Sequence, residues 1–420
     1  MRRAKHGHPR VLRYCFDMKN TNAVKFLDRR SPPHLLTLVL LAGISAMSMS
    51  IFLPSLPAMT MEFGTSYGVM QLSVSLYLAF TAASQILIGP ISDKFGRRPA
   101  ILGALGLFTL ASIGCMLSTN AETFLFFRMV QSVVAVSMVL SRAIIRDIVP
   151  QAESAAMIGY VTMGMSLVPM VAPSIGGVLD AGFGWRATFL VMAVFGSALM
   201  VLCYFDQGET NLSKGQSFTA QISEYPELFT SPRFWGYSLS AAFSSGAFFA
   251  FLGGAPYIAT TIYDQPAATV GMFLGIPAIG YFFGNLFSGR LSVRLGINRM
   301  IWIGSVVLLF GMSCSILVTW IGFGSLASFF TFCAFVGLGN GMVLPNATAG
   351  LLSVRPHLAG TASGVGGAIM IGGGAALAAV AGAVLEGSTT SLPLQWIMLL
   401  SALACVFAIS FVSWREAQIA

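Results

Sequence analysis

The chain has 420 residues, 56% of them hydrophobic and only 9% charged, with a formal net charge of +8. A soluble domain of this size needs far more charge to cover its surface. The apolar residues also come in long blocks rather than in period-2 or period-3.6 stripes, which argues against a soluble globular fold. The positive balance would suggest nucleic acid in a soluble protein, but here its distribution reads as a membrane topology signal.

A hydrocarbon core about 30 Å thick needs about 20 apolar residues per helical span. Backbone groups in lipid must be paired internally, so such blocks are expected to be helices. About twelve blocks meet this requirement, running roughly 35–57, 69–91, 100–118, 123–141, 155–179, 187–205, 234–263, 267–288, 300–320, 322–345, 359–385 and 392–414. Ile321 to Ser325 leaves little room between the ninth and tenth blocks, so the count is open by one. A transmembrane β-barrel fits poorly, because its strands would alternate apolar and polar over about ten residues. The expected fold is therefore all-α.

Residues 1–33 are too polar for a signal peptide. They read as a disordered basic cytoplasmic tail that touches anionic headgroups, and Met18 is a second candidate start beside Met1. The first span ends in Ser50-Ile51-Phe52-Leu53-Pro54. Between the second and third spans the loop runs Gly89-Pro-Ile-Ser-Asp93-Lys94-Phe-Gly96-Arg97-Arg98. Gly89 and Gly96 allow a close approach and a tight reversal, and Asp93 can pair with a nearby arginine or a helix N-terminus. An ordinary loop with inside-positive charge would look similar.

In the fourth span Arg128-Met-Val-Gln131 places a cation within the apolar block. A buried cation is costly and marks a functional site by default; the bland alternative is an arginine that snorkels to the outer interface. Arg146 and Asp147 follow the end of that block. The fifth span carries Gly164, Pro169, Ala172, Pro173, Gly176 and Gly177. Prolines bend a helix, and small residues let a neighbour approach closely. A polar segment, 206–233, then separates six spans from six more. After the eighth span the loop Gly289-Arg-Leu-Ser-Val293-Arg294-Leu-Gly296 repeats the glycine and basic offsets of the earlier loop. Together these give a basic tail (1–33), a six-helix bundle (34–205), a cytoplasmic loop (206–233), a second six-helix bundle (234–414) and a short cytoplasmic tail (415–420). Lys and Arg collect in the segments that would be cytoplasmic, and Arg186 alone falls in an external connection. Both termini are thus expected inside.

No HExxH, nucleophile–base pair or Walker loop suggests an enzyme. The six cysteines form no CxxC and the four histidines no cluster, so no metal and no cofactor is expected.

On the Gly89–Arg98 loop and the six-plus-six layout the chain resembles the major facilitator superfamily. It looks most like its bicyclomycin/chloramphenicol-resistance branch of drug exporters. The loop matches the superfamily's GxxxD(R/K)xGR(R/K) signature, and the resemblance assigns Gly89, Asp93, Gly96, Arg97, Arg98, Arg146 and Asp147 to a gating charge relay. Arg128 and Gln131 match its RxxQG motif, with Ser132 where glycine is usual, and are implied in proton coupling or in shaping the cavity. Gly164, Pro169, Pro173, Gly176 and Gly177 match its antiporter motif GxxxGPxxGG, with Ala172 for the second glycine, which favours export over import. The family's usual first-span aspartate is replaced here by Ser50, so proton coupling would have to run through Asp93, Asp147, Glu62 or Asp180, or the carrier is coupled differently. The resemblance further implies alternating access in a bacterial inner membrane, a monomer, a small-molecule substrate and a co-transported proton, with no nucleic acid. The substrate cavity between the halves is assigned to Met47, Ser50, Tyr77, Gln85, Phe248, Phe251, Tyr257, Asn285 and Asn340, besides Arg128. Alternatives are a dedicated exporter of one metabolite such as a siderophore or amino-acid derivative, a facilitator without proton coupling, or a non-transporting sensor.

Overall fold

A computed structural model describes residues 26–149, 168–211, 225–355 and 358–419, together with 157, 158, 161 and 165. Its long helices are α1 (Leu35–Glu62), α2 (Tyr67–Phe95), α3 (Arg97–Leu117), α4 (Ala121–Ile148), α5 (Val168–Phe183), α6 (Arg186–Asp206), α7 (Pro232–Ile262), α8 (Ala267–Leu295), α9 (Ile297–Phe323), α10 (Leu326–Val354), α11 (Ala359–Leu385) and α12 (Leu392–Ile419). Eleven of these are long and apolar enough to cross a membrane; α5 is described only from Val168. The ninth and tenth spans are separate helices. Ser325 resolves the tight passage by forming a capping box with Ser328 at the start of α10.

Apart from the α4–α5 and α6–α7 connections, consecutive helices are joined by at most six residues, so their ends alternate between two faces of the bundle. The face holding the start of α1 and the ends of α6 and α12 is the terminal face; the other is the far face. Side chains such as Leu110, Phe310 and Phe407 stand 66%, 59% and 67% exposed on the outside of the helices. That is an apolar surface suited to lipid.

Several helices outrun their apolar blocks. α4 continues past position 141 to Ile148, and α10 past 345 to Val354 with Pro345 inside it. Basic and polar residues end an apolar block but not a helix, since a helix can carry them at the bilayer boundary. Irregularities mark the other direction. α1 breaks into a 3₁₀ turn at Leu53–Ser55, where Pro54 and Pro57 supply no amide for an i→i−4 bond and the Leu53 carbonyl accepts from the Leu56 amide instead.

The internal repeat is built into the backbone. Gly96 (φ 96°, ψ 155°) and Gly296 (φ 82°, ψ 157°) end α2 and α8 in the same conformation, open essentially to glycine alone. Each half is also braced by a carboxylate from its last helix. Asp206, fully buried, accepts from the Leu27 amide (2.7 Å), the His34 amide (2.9 Å) and Thr37 Oγ1 (2.7 Å) at the start of α1. At the end of α12, Glu416 pairs with Arg233 (2.7 Å) and accepts from Asn298 (2.5 Å) and Tyr237 (3.2 Å), joining α7, α9 and α12. Asp206→Ala orphans three donors, each worth about 1–3 kcal/mol when buried. Thermal unfolding in detergent should therefore fall clearly for this variant, and far less for exposed Glu122→Ala.

Candidate functional site: a polar centre in the first half and two seams between the halves

The polar centre lies in the first half. Arg128, 1% exposed, is clamped between aromatic faces, its guanidinium carbon 4.2 Å from the Phe52 ring centre and 4.3 Å from that of Tyr77. Nη1 donates to Gln131 Oε1 and, at 3.4 Å, to Ser48 Oγ. Gln131 in turn donates to Ser112 Oγ at 2.7 Å. Among the described residues no carboxylate pairs with this guanidinium, and its Nε and Nη2 have no hydrogen-bond partner. The ring faces carry the negative lobe of the aromatic quadrupole and offset part of the cost of burying the charge. Arg128 therefore does not snorkel; α1, α2 and α4 enclose it.

Of the other proposed cavity residues, Tyr77 alone joins this cluster. Ser50 is buried and donates its hydroxyl to the Ala46 carbonyl at 2.9 Å. Phe251 is fully buried among Phe248, Phe329 and Phe330. Asn340 is bound by Ser244, and Asn285 donates to the Tyr281 carbonyl at 2.9 Å. Met47, half-buried, packs against the core, and Gln85, also half-buried, lies beside Gly367 of α11. Tyr257 sits at the far face. Of the nine, Phe248 and Phe251 touch each other, and the others keep the neighbours just given.

At the far face two seams hold the halves together. In the first, Tyr67 of α2 donates to the Gly253 carbonyl of α7 at 2.6 Å and packs on Tyr257 with ring centres 4.8 Å apart. Below it Gln71 donates to the Ala378 carbonyl of α11 at 3.3 Å. In the second seam, α5 meets α8. Ser174 Oγ donates to the Gly271 carbonyl at 3.2 Å, and a Cβ on Gly177 would overlap the Ala267 carbonyl. A Cβ on Gly176 would instead strike the Ile51 carbonyl of α1, within its own half. So Gly176, Gly177 and Pro173 come together, Gly176 at the α1 contact and Gly177 at the α8 contact. Gly164 and the side chain of Pro169 lie outside the described residues.

On the terminal face, Arg97 Nε pairs with Asp147 Oδ2 at 3.2 Å and its Nη1 bonds Ser92. Arg98 turns elsewhere, donating to the Gln207 and Tyr204 carbonyls at 2.9 and 3.0 Å. Arg146 is exposed on α4. Gly89 lies within α2, and the side chain of Asp93 lies outside the described residues. Sequence reasoning missed Glu209, whose carboxylate accepts from the Arg97 and Arg98 amides (2.9 and 3.2 Å) at the start of α3. A carboxylate at a helix N-terminus is favoured by both the free amides and the helix dipole. Nothing local in the sequence ties position 209 to position 97.

A bundle of transmembrane helices with a repeated α2–α3 and α8–α9 turn and paired seams between halves is the architecture of a membrane carrier. Residues 38–379 match the family model described as Major Facilitator Superfamily, and the chain belongs to that family. It is 29% identical over 324 residues to a "Chloramphenicol resistance protein" of Pseudomonas aeruginosa, covering 77% of each chain. It is 28% identical to "Multidrug resistance protein D" of Escherichia coli K12 (81% of this chain, 86% of the relative). A "Bicyclomycin resistance protein homolog" of Haemophilus influenzae is 26% identical (91% and 96%). In fold it is similar to a crystallised bacterial homolog of the human lysosomal transporter Spinster, with a TM-score of 0.71 at 18% identity over 91% of this chain and 96% of that one.

Proposed function

We propose that this protein exports small amphipathic, drug-like molecules across the bacterial inner membrane by alternating access, driven by proton antiport. The observation that carries the reading is similarity along most of both chains to proteins named for resistance to chloramphenicol, bicyclomycin and multiple drugs. Lys and Arg bias puts the terminal face in the cytoplasm. The far face is then external, and its two seams are the closed outer gate. The chain acts as two six-helix units, 34–205 and 234–414, that rock about a site between them, with Arg97 and Asp147 as part of the inner latch. A single chain suffices.

Ser50 cannot carry the proton, because an aliphatic hydroxyl, unlike a carboxylate, does not ionise in the physiological range. Glu62 is held by Arg186 (2.5 Å) and Trp185 Nε1 (2.6 Å), and Asp147 by Arg97. Asp180, half-buried on α5 beside Ser55 and without an ion-pair partner among the described residues, is the best placed of the described carboxylates. In a drug-hypersensitive bacterial host, expression should raise tolerance to chloramphenicol and lower its accumulation, and Asp180→Asn should abolish both effects at equal protein level. Unchanged accumulation with the native chain inserted in the membrane would overturn the export reading.

A further inference from the structure

Arg142 follows the fourth apolar block, yet the structure carries it inside α4, half-buried. Its guanidinium lies within electrostatic reach of Tyr281 on α8, across the boundary between the halves, and of Arg146 one turn on. No carboxylate pairs with it among the described residues. Fourteen residues back on the same helix, about 21 Å at 1.5 Å per residue, Arg128 is likewise unpaired and has two free nitrogens. Every described acidic residue sits outside the long helices or within a turn of a helix end. Among the described residues, the interior of the first half thus carries two guanidinia with no carboxylate paired to either.

Low-dielectric walls focus such a field, attracting anions and repelling cations. The guanidinium fork also matches carboxylate and sulfonate geometry, which an ammonium does not. We infer that Arg142, with Tyr281 near it, is an anion-selecting station on the transport path, so that among the exported amphipathic molecules those bearing a carboxylate or sulfonate on an apolar body are carried in preference to cations. This rests on the export reading and specifies its substrate class. Tyr281 can donate its hydroxyl to the same anion, so the ligand would bridge α4 and α8 and link the two halves while bound.

The test uses the full chain in inverted membrane vesicles and three radiolabelled compounds on one ring: naphthalene-2-sulfonate, naphthalene-2-sulfonamide and 2-naphthyltrimethylammonium. The native protein should accumulate the sulfonate about tenfold or more faster than the ammonium compound, the discrimination expected of one charge-assisted contact. Arg142→Gln should lower the sulfonate-to-sulfonamide rate ratio by about tenfold, and Arg142→Lys, which keeps the charge but not the fork, should fall between the two. Monodisperse elution in detergent confirms that each variant is folded. Accumulation of the ammonium compound at the sulfonate's rate, or a ratio unchanged in Arg142→Gln, overturns the inference while export stands. Uptake of none of the three by a folded native protein overturns the inference, and chloramphenicol accumulation in the same vesicles then decides the export reading separately.

Discussion

Gly177→Val is expected to hold the protein open at the far face. At Gly177 even a Cβ would overlap the Ala267 carbonyl on α8, a backbone atom that cannot step aside. The clash exists only while α5 and α8 are in contact, so it penalises one conformation and leaves the other untouched. Overpacking of this kind costs about 1–3 kcal/mol or more. Two to three kcal/mol shifts a two-state equilibrium by roughly 30- to 150-fold. Gly176→Val makes the matching control, because its side chain meets Ile51 inside one half, a contact that rocking of rigid halves would keep. It should lower stability without selecting a state. Ala378→Cys, at a position fully buried beneath Gln71, reports the state of the seam. A membrane-impermeant maleimide should label it slowly in the native background and at least about tenfold faster with Gly177→Val. Equal labelling would mean that this contact does not gate the far face.

The second large effect is at Arg128. Arg128→Lys puts an ammonium between two rings spaced for a planar guanidinium and forfeits the bond to Ser48 or to Gln131. Arg128→Met fills a similar volume without a charge. Replacing a buried charge by a well-packed apolar group is often neutral for stability, whereas a mismatched buried charge costs several kcal/mol. The methionine variant should therefore melt close to the native protein and the lysine variant well below it. Both should lose substrate transport by about a hundredfold, because neither presents a guanidinium to the transport cycle. Retained transport in the folded methionine variant would make Arg128 a structural residue only. The two readouts separate packing from function.

The helices were legible in the sequence because bilayer thickness and backbone pairing leave few choices for an apolar block. Their ends were not: Arg142 and Arg146 closed the fourth block in composition while the helix ran on to Ile148. Resemblance assigns Arg97 and Asp147 to one charge relay without pairing them; in the structure they form an ion pair at 3.2 Å, whereas Arg98 and Glu209 took partners that only folding brings near. The cavity residues fared differently for a physical reason. Phe251 and Asn340 are of types that suit either a binding site or a packed interior, and periodicity cannot say which side of a helix meets a neighbour. Arg128 stood out because an in-span cation is rare, but its aromatic clamp draws Phe52 from α1 and Tyr77 from α2. Asp206 was passed over as the first residue of a linker, although burial and three donors make it a structural anchor.

The most direct test of proton-driven export is chloramphenicol efflux from preloaded cells, with and without a protonophore. Energy-dependent efflux that stops when the gradient collapses, and that Asp180→Asn also stops, is the predicted result. Efflux that continues unchanged without a gradient would contradict proton antiport and make the protein a facilitator or a carrier coupled to another solute.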